Sequence, residues 1–288
     1  MEPMVEFVWH RRVRQRRRPS ALVIALSGWT DAGEAASTAT STVEALLGLE
    51  PYGHVDPDDL YDFTAVRPIV EIDETGVRSL QWGTLVLRGP GRPRSPAVFT
   101  LSGPEPQLRW KDLAAELVEL AAQLAVDHVV TVGALLAGTP HTRPVGLVGY
   151  STVPDLAHEL DILPSQYEGP TGFLSVAQAT LAASGVDVTS LWAEVPHYLA
   201  QFPAYPAAIA LARAIATALD LPVDPGPELE PHLARTAKEI DEYVTQDPEL
   251  LAYVGSLERS YEIDQHTRRS AERISREAQQ YLRRFSAE

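Results

Sequence analysis

The chain has 288 residues and no cysteine. That absence excludes disulfides, thiolate zinc sites and a cysteine nucleophile. Lysine is almost missing, with two residues against 22 arginines, a bias typical of a G+C-rich genome rather than of a binding choice. No apolar run approaches the roughly 18 residues of a membrane helix. No apolar segment of signal-peptide form precedes the first predicted strand. A cytoplasmic location without membrane contact is expected. Local metal pairs such as His-x-x-x-His are also lacking, as is a serine in a nucleophile elbow. What remains is ordinary for a globular protein, 45% apolar and 22% charged,.

The net charge of −15 is unevenly spread. Six arginines lie between Arg11 and Arg18 and six more between Arg268 and Arg284, leaving residues 19–263 with 12 basic and 33 acidic side chains. A body that acidic repels phosphates, so nucleic acid is not expected as a partner. The basic ends can either bind acidic surfaces, this protein's own included, or stay solvated.

Ala21–Leu26 is a continuous apolar run, the pattern of a strand buried on both faces. The turn Ser27-Gly28-Trp29-Thr30-Asp31-Ala32-Gly33-Glu34 follows, and then small residues from Ala35 to Leu47 ending at Gly48. Thr30 or Asp31 can cap the helix, with Glu34 placed for a capping box. Strand, turn and helix open a layered α/β domain. The spacing Gly28…Gly33 is neither a Gly-x-Gly-x-x-Gly nor a phosphate loop, and Asp31 would repel a phosphate. Both glycines are expected to serve close packing and Asp31 the helix cap.

Further along, Met1–Val8, with Met4, Val5, Phe7, Val8 and the adjoining Trp9, is expected to add a short strand or to tuck under the core, and Pro51–Asp59, with His54 and Asp56, reads as a loop. Phe63–Ile72, broken by Pro68, reads as an edge or a bulged strand, and Ser79–Arg88 as the second arm of a hairpin. Pro96–Leu101 is a further strand. Proline and acid in Ser102–Pro106 suggest a helix start, with Leu108, Leu113, Leu117, Leu120 and Leu124 on one stripe. Val129–Leu136 reads as a central strand, Phe173–Ala183 as a helix, Val188–Ala193 as a strand and Pro203–Leu219 as a helix. Strands alternating with single helices imply a mainly parallel sheet covered on both sides. Two stripes, Leu233–Val244 and Leu251–Tyr261, form a C-terminal helical hairpin, with Asp247-Pro248 starting its second arm. The expected division is a core over residues 1–222, with a basic segment 1–19, and a helical subdomain over 223–288. Residues 264–288 read as an exposed helical extension or a frayed end.

Three polar loops fall where open α/β sheets bind ligands, beyond strand carboxyl ends. They carry His141 in Thr139–Pro144, Glu168 in Tyr167–Gly172 and His197 in Glu194–Tyr198. Convergence with Asp31 would assemble a pocket of two histidines and two carboxylates. Histidines beside prolines anchor loops more often than they catalyse, and Glu168-Gly169-Pro170 is also plain helix-start chemistry. No catalytic set, cofactor or metal is expected.

Gly28-Trp29-Thr30-Asp31-Ala32-Gly33 closely resembles the signature turn of the proteasome assembly chaperone family, in its bacterial branch of largely unassigned function. Tyr61-Asp62-Phe63 with Arg67-Pro68, Gly103-Pro104-Glu105-Pro106 with Arg109-Trp110, Pro140–Pro144, Tyr167-Glu168-Gly169-Pro170-Thr171-Gly172 and Leu191–Tyr198 are similar to that family's motifs in its order. The match covers residues 20 to 262. The resemblance implies a three-layer α/β/α fold like that of nucleoside phosphorylases and related hydrolases, a small helical part and homo-oligomers, a trimer above all. It implies a protein-binding or assembly role, with proteasome-related partners, and no established catalytic residues. In better understood members a C-terminal hydrophobic-Tyr-x tail serves that role, and Arg284-Phe285-Ser286-Ala287-Glu288 departs from it. The alternatives from the residues themselves are a phosphorylase-like or hydrolase-like enzyme, or a small-ligand sensor, at the pocket near Asp31, His141, Glu168 and His197.

Overall fold

The computed structural model describes residues 5–11, 19–92 and 96–264. The arginine run at 12–18, part of the Gly89–Arg94 punctuation and the tail from 265, with its Arg268–Arg284 arginines, lie outside the described residues. The predicted first strand is present as β1 (Phe7–Trp9) and the Ala21–Leu26 run as β2 (Ser20–Ser27). Helix α1 (Ala35–Leu47) ends where Gly48 takes φ 59°, the left-handed cap a glycine adopts without penalty,.

The sequence reading of residues 51–59 as a loop is corrected. Strand β3 (Leu49–Val55) runs through it, with a register shift between Pro51 and Gly53. Both of its edges are paired, with β1 on one side and β6 (Val86–Pro90) on the other, so tertiary partners override the turn-rich composition,. The short α2 (Pro57–Leu60) follows, capped by the Asp56 carboxylate, which accepts from Asp58 N at 3.0 Å. The expected hairpin is shorter than predicted: β4 (Ile69–Ile72) starts after Pro68, and β5 (Arg78–Gln81) is its only partner among the described residues. The residues after Gln81 leave that hairpin and join the main sheet as β6.

Strand β7 (Val98–Pro104) extends through the segment predicted to start a helix, and α3 (Trp110–Leu124) begins later. Beyond β8 (Val126–Ala137) lie three elements the sequence did not announce, β9 (Leu147–Ser151), α4 (Leu156–Glu159) and β10 (Ile162–Pro164). Each is too short to carry a periodic signal. Then come α5 (Phe173–Ala183), β11 (Asp187–Pro196), α6 (Tyr205–Ala218), α7 (Gly226–Gln246) and α8 over residues 248–264.

Nine strands form one sheet in the order β1-β3-β6-β7-β2-β8-β11-β9-β10. Its centre, β7-β2-β8-β11, is parallel, and antiparallel pairs flank it. Alternation along β2 divides the core. Leu22, Ile24 and Leu26 face α3 and α5, while Ala21, Val23 and Ala25 face α1 and α6,. The second face is built from small residues, Ala35, Ala36 and Ala39 on α1 and Ala207, Ala208 and Ala212 on α6, so those helices lie close to the sheet and to each other. The result is the three-layer α/β/α arrangement with helices at the C-terminus. The α7–α8 hairpin packs Ile240, Val244 and Val254 on Leu199, Tyr198 and Phe202, in the loop after β11.

Candidate functional site

The turn after β2 is fixed from all sides. Asp31 N–H donates to Gly28 O at 3.1 Å, and the Thr30 carbonyl accepts from Ala134 N at 2.8 Å, tying the turn to β8. Gly28 has φ +111° and open space around its α-carbon, so it is needed for conformation and not for the close approach expected of it,. Gly33 does both jobs. It has φ +58°, and a β-carbon there would sit 2.6 Å from Ala204 Cβ and 3.0 Å from two backbone atoms.

Asp31 is buried, and its Oδ1 accepts from the amides of Ala36 at 2.7 Å and Ser37 at 3.3 Å. It therefore caps α1 from across a one-turn 3-10 helix at Ala32–Glu34. The predicted capping box does not form, because Glu34 is left-handed (φ 56°) and its side chain makes no hydrogen bond among the described residues. Asp31 Oδ2 is buried without a partner among the described residues. Burial raises its pKa, opposed by the hydrogen bonds from Ser37 and Ala36. Asp31→Ala is expected to cost about 1 kcal/mol at neutral pH through loss of the cap. A folded pKa above the unfolded one makes the Asp31 contribution grow on acidification, since the folded state then binds the extra proton. Urea midpoints of both proteins at pH 7 and near pH 4 check this. A gap that narrows in acid contradicts it.

His141 and His197 are anchored elsewhere. The Tyr198 hydroxyl accepts from His141 N–H at 2.9 Å and lies within hydrogen-bond distance of His141 Nδ1, at 2.8 Å. Burial lowers the His141 pKa, which favours the neutral imidazole,. His197 Nδ1 donates to the Ala137 carbonyl at 3.0 Å, and its ring packs edge-on against Tyr198 and Tyr253 of α8. The same loop holds α8 by charge. Arg143 bonds Glu262 at 2.8 Å and Glu258 at 3.3 Å, and the Thr142 hydroxyl donates to Glu258. Pro140–Pro144 is thus the seat of the C-terminal helix.

Glu168 is exposed in the loop before α5, where the Tyr167 hydroxyl donates to the Pro170 carbonyl at 2.8 Å and Gly169 has φ +159°. Its neighbour Gly172 packs against Trp29, which is 68% exposed. The single pocket imagined for Asp31, His141, Glu168 and His197 is therefore not assembled. Neither histidine bonds either carboxylate, because each carboxyl end of the sheet is closed by its own loop. Among the described residues no group of three His, Asp or Glu is placed to hold a metal.

Sequence reasoning missed three residues that matter for this region. Glu105 caps α5 rather than a helix of its own, accepting from Phe173 N at 2.7 Å across 68 residues. Tyr198 joins His141 to the helical hairpin. Glu194 sits between two cavities, one of about 250 Å³ and one of about 310 Å³. The smaller, largely apolar one lies between the loop after β8, the end of β11, the start of α6 and α7. Of the four predicted residues only His141 lines it. A carboxylate two positions before a strand-ending Pro was the available signal for Glu194. Nothing local marks Glu105 as a cap for a distant helix.

Comparison with known proteins fits this geometry. The PAC2 family model matches residues 25–244. A PAC2 family protein of Streptomyces avermitilis is 37% identical, covering 82% of this chain and all of its own, with a TM-score of 0.71. A proteasome-assembly chaperone homologue of Mycobacterium tuberculosis is 36% identical over 81% of this chain and 99% of its own, with a TM-score of 0.72. A Corynebacterium glutamicum protein of unknown function reaches a TM-score of 0.80 at 26% identity, covering 92% and 99%. Comparison with curated proteins finds no match. With a family model spanning most of its length and relatives above 30% identity, this chain belongs to the PAC2 family.

Proposed function

We propose that the chain is a protein-binding assembly factor with a proteasome-related partner, working as a homo-oligomer, with a trimer as the specific expectation. Residues 1–222 serve as the rigid body and 223–288 as the helical subdomain. Family membership supports the class. The observation that carries the reading is the β4–β5 hairpin, which pairs with no strand of the main sheet. Val70 faces Leu80 across the pair, with Ile72 on the same side, and all three are more than half exposed. Two-stranded hairpins are marginal in water unless something packs on them. An apolar face left open on a folded body marks a protein interaction site.

The test is binding to purified proteasome core subunits of the host, with wild type compared with Val70→Thr/Leu80→Thr, which keeps strand propensity and removes the apolar face,. The pair is at the surface, so circular dichroism and melting are expected to stay unchanged. Affinity is expected to fall at least about tenfold, as for loss of central apolar contacts. Undiminished binding by the variant moves the interface off the hairpin, and no binding by wild type removes the proteasomal partner. Light scattering that gives a monomer mass at micromolar concentration removes the oligomer.

A further inference from the structure

The cavity beside β11 has walls unlike the rest of the carboxyl edge. Pro196, Phe202, Leu233, Ala237 and Ile240 make it apolar, and α7 closes one side. Its volume of about 250 Å³ accommodates a molecule of about ten non-hydrogen atoms, at the small end of ligand sites,. Charge in the lining is one-sided. Arg143 is committed to Glu258 and Glu262. His141 Nδ1 is engaged by the Tyr198 hydroxyl, and burial favours its neutral ring. Glu194 is half-buried, and its carboxylate has no hydrogen bond or ion pair among the described residues. Its carboxylate lies over the α-carbon of Gly146. Glu194 also lines the adjoining cavity, which Asp161 and Asp264 share and which has no basic residue among its described lining. A bound ammonium group supplies the Glu194 carboxylate with the counter-charge it lacks among the described residues,.

We propose that this cavity binds a small primary amine with an apolar body, its ammonium on Glu194 and its body against α7. Among the described residues an anion finds no free cation in that lining, and a neutral ligand leaves Glu194 without a counter-charge. The site is separate from the hairpin, so it stands or falls independently of the protein partner. It also places a ligand directly under the helix that joins the body to the C-terminal hairpin.

The experiment titrates the full chain with phenethylamine, 2-phenylethanol and 3-phenylpropanoate, following amide shifts by NMR and the melting temperature. Saturable binding of the amine is expected, with the alcohol and the carboxylate at least about tenfold weaker. Glu194→Gln keeps the shape and removes the charge, and is expected to weaken the amine at least about tenfold while leaving the alcohol unchanged. Ala237→Phe fills the cavity from α7 and is expected to abolish all binding. Should that variant not fold, the Glu194→Gln comparison decides alone. Equal binding of amine and alcohol, indifference to Glu194→Gln, or no saturation by about 10 mM overturns the assignment. So does a lysine-bearing tripeptide that binds more tightly than phenethylamine, which would make the ligand a partner's side chain.

Discussion

Gly33→Ala is expected to destabilise the protein by about 3 kcal/mol, at the upper end of what a single substitution usually costs. Two costs combine. At φ +58° an L-residue loses about 1 kcal/mol or more relative to glycine,. The added methyl also meets Ala204 Cβ at 2.6 Å and the backbone of Phe202 and Ala204 at 3.0 Å. Overpacking of this kind costs about 1 to 3 kcal/mol, and no flexible side-chain end is present to move aside. Ala204 N–H also donates to Gly33 O at 2.8 Å, so separating the two segments breaks a hydrogen bond that holds α6 to the turn. The comparison is Gly28→Ala, where φ is +111° but nothing lies within 4 Å, so conformational strain is the whole cost. Denaturant midpoints are expected to fall more for Gly33→Ala than for Gly28→Ala. Adding Ala204→Gly is expected to restore part of the Gly33→Ala loss and none of the Gly28→Ala loss. Equal effects at the two glycines would show that packing against α6 is unimportant.

Tyr198→Phe comes next, at about 2 kcal/mol, since the hydroxyl both accepts the His141 amide and hydrogen-bonds its ring,. Its removal leaves two partly buried polar groups without those partners. Each such group costs about 1 to 3 kcal/mol, reduced at this site because it is only half-buried. The loss has a pH signature. His141 has a folded pKa below its unfolded one, mainly through burial. Its contribution is present above the unfolded value, near 6.5, and is lost as pH falls through the folded value. A hydroxyl that donates to Nδ1 favours the neutral ring, and with that assignment the acid sensitivity of the variant is smaller,. The wild-type advantage is therefore expected to shrink between about pH 7.5 and about pH 5.5 in urea titrations. A constant gap would show that Tyr198 acts on the backbone amide alone. Tyr198 also packs under α7 and α8, so limited proteolysis of the helical hairpin is expected to quicken in the variant.

The layered core was legible because its signals are local. Apolar runs at 21–26 and 129–136 are the pattern of strands buried on both faces, and Gly48 marks the end of α1 wherever that helix packs. Asp31 as a helix cap was also readable, although the cap reaches across an unforeseen 3-10 turn. The strand at 49–55 was not, since its turn-rich residues extend only because β1 and β6 pair with both edges.

The site divided along the same line. By itself the sequence determined the α/β alternation, the family motifs and which residue types border the sheet's carboxyl edge, because periodicity and short spacings report on neighbours along the chain. Only the tertiary structure decided what those residues touch. It sent Glu105 to the first amide of α5, His141 and His197 to Tyr198 and Ala137, and Arg143 to the C-terminal helix. It left Glu194 beside a cavity and Val70, Ile72 and Leu80 in the open. Each of those outcomes depends on contacts between segments far apart in sequence, whose geometry is set by how the layers stack and not by any local preference.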